Sequence, residues 1–303
     1  MPRAMTSYLY GRPPAVFDPP ADAIQTSPLI PGSADLGTVP AGSADAVTLL
    51  APPGAVERRF VLAQALSALK PGGRLDVMAP KDKGGQRLRK ELQSFRLTFD
   101  ETAKAHHRRA VAVRPGIVEG IETALAEGGP REVGAIGGWS QPGVFAWDRV
   151  DAGTALLLTH LPSLKGRGAD LGCGAGLIAR AVLTLPDVVQ LRLVDLDRRA
   201  VEAARRNIED ARAVFEWADA RGLQASGDLD FIAANPPFHD GGTEDRRLGQ
   251  GFIRAAAGLL RKGGVLWLVA NRHLPYEREL DEAFARTRLV VEAGGYKVFE
   301  AVK

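Results

Sequence analysis

Between Asp228 and Phe284 the chain runs again through what it has already passed between Ala44 and Phe95. The first pass reads ADAVTLLAPP, then a helical ERRFVLAQALSAL, then KPGGRLDVMAPK and LRKELQSF. The second reads DLDFIAANPP, RRLGQGFIRAAAGLL, RKGGVLWLVANR and YERELDEAF. Each is an apolar run closed by two prolines, a helix, a Gly-Gly turn, a second apolar run and a charged helix ending in phenylalanine. A spacing of about 150–190 residues reads as duplicated domains, because solenoid repeats are far shorter. Buried β-runs alternating with helical patterns build βαβ units and parallel sheets. The expected fold is therefore α/β, two tandem Rossmann-like domains in 303 residues, a length that exceeds what one core usually serves. Glycines cluster at LAEGGPREVG, which sets the expected domains at 1–130 and 131–303.

Composition contributes mainly exclusions. The chain is 45% apolar and 25% charged, an ordinary globular balance. No segment approaches the ~18 consecutive apolar residues of a membrane span, and the N-terminal MPRAMTSYLYGRPP lacks an apolar signal core. Cys173 is the single cysteine, so no internal disulfide forms and a reducing compartment fits. It and the five histidines show no metal-ligand spacing. A cytoplasmic protein with no metal and no membrane partner is the expectation. The net charge of +3 announces nothing, but from Lys81 to Arg114 ten Lys/Arg stand against four Asp/Glu, about +6. Such a run is either a solvated face or a stripe that meets phosphate.

The second half carries a stretch that the first half lacks. GADLGCGAGLIARAVLTL sets Gly172, Gly174 and Gly176 between a short strand and a helix starting near Leu177. Glycines there let the chain turn at positive φ and let a ligand approach the backbone. The spacing is not the G-x-G-x-x-G of dinucleotide sites. Nineteen residues after Gly176 the run LRLVD ends in Asp195, where a carboxylate at a strand end can take both hydroxyls of a ribose. Asp219, in FEWADAR, follows another short strand and could accept from an adenine amine. Asp170, just ahead of the glycines, could pair with an ammonium. An ammonium, a ribose and an adenine without a pyrophosphate describe S-adenosylmethionine better than NAD. Cys173 reads as a small packing residue. KGRGADL, the strand leading in, is poor in β-branched residues and reads as short or weak.

The run FIAANPPFHDGG then ends where a strand should close. An exocyclic amine is a poor nucleophile, because its lone pair is delocalised into the ring. Catalysis means holding that nitrogen in line with the methyl and favouring its pyramidal geometry. Two acceptors aimed at its N–H bonds would do this, the side-chain oxygen of Asn235 and the carbonyl of Pro236, on a loop stiffened by proline. Phe238 offers a ring for an extruded base, a contact worth ~1–3 kcal/mol. His239 could touch the base or a phosphate, or bond the loop itself. In the first copy Ala51 replaces Asn235. The loop there is also shorter, since Pro52 precedes Gly72 by 20 residues and Pro236 precedes Gly263 by 27. Without acceptor or cofactor glycines, that copy reads as degenerate.

Through QPGVFAWDRVDAGTALLL, DLGCGAGL, NPPFHDG, VANRHLPY and YKVFEA, from Gln141 to Ala301, the second half resembles the ribosomal RNA guanine-N2 methyltransferases, those of the small (16S) subunit above all. Asn-Pro-Pro-Phe/Tyr alone is shared with DNA adenine, cytosine-N4 and protein-glutamine methyltransferases; His-Asp-Gly and VANRHLPY are narrower. The resemblance implies a class I methyltransferase fold, S-adenosylmethionine as cofactor, and a guanine of ribosomal RNA or of the small ribosomal subunit as substrate. It assigns Asp170, Gly172, Gly174 and Gly176 to the methionine part, Asp195 to the ribose and Asp219 to the adenine region. Asn235, Pro236, Pro237 and Phe238 fall to the target amine, with Phe145 and His239 also on the substrate side. The N-terminal domain is implied to be a duplicate stripped of cofactor binding, here one that grips RNA while a guanine leaves its stack to reach the loop. Paired domains suit a monomer. The rivals are an adenine-N6 or protein-glutamine methyltransferase, an NAD-dependent oxidoreductase and a non-catalytic RNA-binding protein.

Overall fold

The computed structural model describes residues 5–237, 239–240, 243–244 and 246–303, without the side chains of 239, 240, 243, 244 and 246. The chain divides into two compact units, Met1–Gly129 and Pro130–Lys303.

The first unit holds strands β1 (Ser7–Tyr10), β2 (Ile24–Gln25), β3 (Ala44–Leu50), β4 (Leu69–Pro80), β5 (Phe99–Lys104) and β6 (His107–Val113), with helices α1 (Ala55–Ala68), α2 (Gln86–Ser94) and α3 (Ile121–Gly128). Its sheet runs β2-β1-β3-β4-β6-β5, parallel through the first four and antiparallel at β5 and β6.

The second unit opens with a hairpin of β7 (Arg131–Val133) and β8 (Gly138–Ser140), followed by α4 (Ala152–His160). Then come β9 (Gly166–Leu171), α5 (Leu177–Val182), β10 (Val188–Asp195), α6 (Arg198–Asn207), β11 (Ala213–Trp217) and β12 (Leu229–Ala234). A small pair, β13 (His239–Asp240) and β14 (Thr243–Glu244), precedes α7 (Arg246–Leu259), β15 (Leu260–Asn271), α8 (Glu277–Ala283), β16 (Arg286–Ala293) and β17 (Tyr296–Val302). The main sheet is ordered β11-β10-β9-β12-β15-β17-β16. The chain therefore moves outward from β9 to β11, then returns to β12 on the other side of β9. That reversal is the switch point at which open α/β sheets bind ligands, beyond the carboxyl ends of the strands.

Both units are Rossmann-like α/β sheets, and they share detail down to single hydrogen bonds. Gly72 N–H donates to Arg114 O at 2.9 Å and Arg114 N–H to Gly73 O at 2.8 Å. Gly263 N–H donates to Lys303 O at 2.7 Å and Lys303 N–H to Gly264 O at 2.9 Å, the same exchange in the second copy. A Cβ on Gly73 would sit 2.9 Å from Lys70 O, and one on Gly264 2.8 Å from Leu229 O, so both kinks require glycine. Between β1 and β3 the described residues of the first unit form the short strand β2 and 3-10 turns at Ala15–Phe17 and Leu36–Thr38, with no α-helix. The helices that flank β10 in the second unit have no equivalent there.

The apolar run FIAA is continuous because β12 is covered on both faces, with Phe231, Ile232, Ala233 and Ala234 all buried. One face packs on Phe252, Ile253 and Ala256 of α7, the other beside Ile178, Ala179 and Val182 of α5. Burial of a large apolar side chain such as Phe231 or Ile232 contributes roughly 1.5–3 kcal/mol. The weak-looking strand KGRGADL does form, as β9 in the middle of the sheet. Its glycine is the reason it works there: a Cβ on Gly168 would lie 2.2 Å from the ring of Phe231. The residue that lowers β-propensity makes room for its neighbour's aromatic side chain.

Candidate active site

The carboxyl ends of β9, β10 and β12 meet at the switch point. Gly172, Gly174 and Gly176 all have positive φ, at 78°, 52° and 87°, and α5 begins at Leu177 directly after them. Gly172 and Cys173 N–H both donate to Val194 O, at 2.8 and 3.1 Å, which ties the turn to β10. A side chain on Gly174 would point into open space, while one on Gly172 would lie 3.8 Å from Asn235 O. The glycine loop and the proline loop are thus neighbours.

Asp195 closes β10 and holds the loop from the other side. One carboxylate oxygen accepts from Gly174 N–H and the other from Asp197 N–H, each at 2.8 Å, so each oxygen retains acceptor capacity. Burial pushes its carboxyl up to about 6, against the N–H groups of Asp197, Gly174 and Leu196, which favour the charged form. Asp170, in β9, is fully buried. Its Oδ2 accepts from Ala179 N–H at 3.1 Å, and its Oδ1 has no partner among the described residues. Burial, with the Asp195 charge adding to it, pushes Asp170 up to about 8. A buried carboxyl oxygen without a donor is the feature a cationic ligand would satisfy. Cys173 lies beside both acids, and burial pushes its thiol well up, away from thiolate chemistry.

Asp219 follows β11 and caps the short turn Ala220–Gly222. Its carboxylate is engaged by its own neighbour, accepting from Arg221 Nε at 2.9 Å and Nη2 at 2.6 Å. That pairing, first of all, holds it below the usual carboxylate range.

Asn235 ends β12, and two residues far away in sequence hold its side chain. Its Nδ2 donates to Asp151 Oδ2 and to Thr154 Oγ1, both at 2.9 Å. With both amide hydrogens bound, Oδ1 is turned to the opposite side as an acceptor. Asp151 is itself the N-cap of α4, accepting from Thr154 N–H at 2.9 Å through the same Oδ2. Burial, then the charge and hydrogen bond of Asp151, push the Tyr296 phenol up. Neither Asp151, Thr154 nor Tyr296 was singled out from the sequence. The available signal was an Asp-x-x-Thr helix start in DRVDAGT, a capping pattern that by itself reads as local.

Pro236 is buried and Pro237 exposed on the same loop. Phe238 and the side chain of His239 lie outside the described residues. Phe145 is exposed, in the segment that follows the β7–β8 hairpin. That hairpin is tied to α6: Asn207 accepts from Trp139 N–H at 2.6 Å and donates to Trp139 O and to Ala175 O, both at 2.9 Å. Asn207 thus links the hairpin to the glycine loop, a bridge that sequence patterns do not announce. Among the described residues no His/Cys/Asp/Glu group could hold a metal ion, and no helix is long and apolar enough to cross a membrane.

Residues 136–300 match the methyltransferase small domain family, more than half of the chain. The chain belongs to that methyltransferase family. Within it, the protein is 33% identical over 243 residues to the ribosomal RNA small subunit methyltransferase C of Shewanella piezotolerans, spanning 78% of this chain and 70% of that one. With the protein of the same name from Shewanella loihica it shares 32% identity over 84% of this chain and 76% of that one. Among solved structures, the T. thermophilus 16S rRNA N2 guanine methyltransferase RsmC, in complex with AdoMet and guanosine, matches 100% of this chain and 89% of its own. The TM-score is 0.80 at 24% identity, which establishes a shared methyltransferase fold across both units.

Proposed function

We propose that this methyltransferase moves a methyl group from S-adenosylmethionine to the exocyclic N2 amine of a guanine in ribosomal RNA, most directly the 16S RNA of the small subunit. The observation that carries the reading is the fixed amide of Asn235, whose two hydrogens are committed to Asp151 and Thr154 next to a glycine loop at the switch point. The residues present suit the cofactor. The unpartnered oxygen of Asp170 suits an ammonium, the two half-used oxygens of Asp195 suit a ribose, and Asp219, whose carboxylate also holds Arg221, is assigned to the adenine. S-adenosylmethionine supplies a methyl group made electrophilic by its sulfonium.

The chain's own contribution is positional. Asn235 Oδ1 and Pro236 O accept the two amine hydrogens, so the nitrogen lone pair is directed at the methyl and drawn out of conjugation. Asp151 and Thr154 keep the amide from turning over, which would present hydrogens to hydrogens. No tuned base is required before transfer, because the amine proton becomes acidic only once the nitrogen carries the methyl. Phe145, Pro237, Phe238 and His239 complete the substrate side.

The first unit, 1–130 in this reading, serves RNA binding, and the catalytic domain is 131–303. The segment from Lys81 to Arg114 lies within the first unit, and part of its charge is used internally: Arg89 pairs with Glu101, Arg96 with Glu119 and Arg109 with Asp76. Lys81, Arg87, Lys90 and Lys104 are exposed and are the side chains assigned to phosphate. The reaction is placed in the cytoplasm, carried out by a single chain. Asn235→Ala tests the mechanism. Methylation should fall by about 10²–10³ in kcat, the loss typical of one positioned hydrogen-bonding group, with cofactor affinity within a few-fold of wild type. Retained activity would show that Asn235 does not orient the amine.

A further inference from the structure

The proline loop of the first unit already holds an amine, and it belongs to the chain. Arg58 is the fourth residue of the fourteen-residue α1 and is 1% exposed. Its Nη1 donates to Pro52 O at 2.9 Å and to Pro53 O at 2.7 Å. Its Nε and Nη2 donate to the two carboxylate oxygens of Glu91 on α2, each at 2.6 Å, and Glu91 is 8% exposed. One terminal NH₂ group therefore spends both hydrogens on consecutive proline carbonyls, while the rest of the guanidinium is neutralised from behind. Pro52 is the counterpart of Pro236, whose carbonyl is assigned above to the target amine.

The second unit fills the matching space differently. α7 is also fourteen residues long, and its fourth residue is Gly249. A Cβ there would lie 1.9 Å from Tyr276 Oη. Tyr276 follows β15 and is buried. In the first unit the loop after β4 instead carries Gly84 and Gly85, and a Cβ on Gly84 would lie 2.1 Å from Arg58 Nη1. A large residue from the helix and glycine from the loop have changed places with glycine from the helix and a large residue from the loop. Packing alone does not call for the arginine, since apolar side chains of similar volume are often as stable as a buried ion pair.

We propose that the first unit retains a planar-amine site from the duplication and that Arg58 is its resident occupant. The guanidinium presents the N–C–N fragment that guanine presents at its N2 edge, takes both proline carbonyls and closes the loop to bases. The ligand class of the site is a guanidinium or amidinium cation, with Glu91 as counter-ion. Any RNA contact by this unit is then made elsewhere on its surface.

The test uses the full chain with Arg58→Gly, which copies Gly249, titrated with methylguanidinium chloride against sodium chloride at matched ionic strength. Thermal unfolding should show a lowered midpoint that methylguanidinium restores saturably, with half-saturation on the order of 1 mM for so small a ligand. Wild type should show no such recovery, and Arg58→Gly/Glu91→Gln should lose it. Arg58→Lys carries the test if the glycine variant does not fold. Lysine keeps the charge but cannot span two carbonyls and both carboxylate oxygens, so its midpoint should also fall. Recovery no greater than with sodium chloride, or a lysine variant as stable as wild type, would overturn the proposal. Neither readout involves methyl transfer, so the outcome is separate from that of the proposed reaction.

Discussion

Replacing Asn235 by aspartate should turn a hydrogen-bonded pair into a repelling one whose strength follows from the observed geometry. Asn235 Nδ2 lies 2.9 Å from Asp151 Oδ2, so the variant sets two carboxylates side by side. With charge centres about 4 Å apart and an effective dielectric of about 20, their repulsion is about 4 kcal/mol, or about 3 pKa units. Asn235 is only half-buried, and solvent screening brings this toward about 2 kcal/mol. The pair should therefore keep one proton to an apparent pKa of about 5.5–7, which belongs to the pair and not to either acid. Its folded-state pKa is raised above the unfolded value, so the folded protein holds a proton that the unfolded chain has released. Stability relative to wild type should then fall as pH rises from about 4 to about 7 and level off above. Urea unfolding of both proteins from pH 4 to pH 9 measures the gap. The swapped variant, Asp151→Asn with Asn235→Asp, restores an amide facing a carboxylate and should remove the pH dependence. A gap that does not change with pH, or a swapped variant as unstable as the single one, would refute the assigned orientation of the Asn235 amide.

Asp170, whose carboxyl burial pushes up to about 8, is mostly protonated at pH 7. Pairing with the cofactor's ammonium should release close to one proton, seen as a binding enthalpy that differs between phosphate and Tris buffers. An enthalpy independent of buffer would remove Asp170 from that role. Gly168→Ala should cost about 1–3 kcal/mol in unfolding measurements, because its Cβ would sit 2.2 Å from the Phe231 ring; Phe231→Leu in the same chain should recover part of it. Reversing Arg87 and Lys90 to glutamate should weaken RNA binding and flatten the plot of log K against log salt by about 0.7 per lost phosphate contact on a single strand. An unchanged slope would place the RNA on another face.

What could be read in advance was whatever the chain states locally. The glycine run, the acid closing β10 and the Gly-Gly turns are short patterns whose conformations follow from neighbouring residues. The duplication was legible for the same reason, since each copy repeats its own punctuation. The support of Asn235 was not legible. Asp151 and Thr154 stand 84 and 81 residues away, and in sequence they do no more than begin a helix. Arg58 was hidden in a different way. ERRFVLAQALSAL reads only as a helix, yet its Arg58 is buried, because Glu91 arrives from a helix that begins 18 residues after α1 ends. The weak propensity of β9 was a correct reading of its residues, overridden by tertiary packing of Phe231 against Gly168.

One assay identifies the methyl acceptor. Purified protein, S-adenosylmethionine and unmodified small-subunit ribosomal RNA, free or assembled, would be incubated together, and the RNA digested to nucleosides for mass spectrometry. The expected product is N2-methylguanosine at a single position, absent when Asn235→Ala replaces the wild-type protein. Methyl groups on adenine, or none on RNA while the protein still binds S-adenosylmethionine, would contradict it.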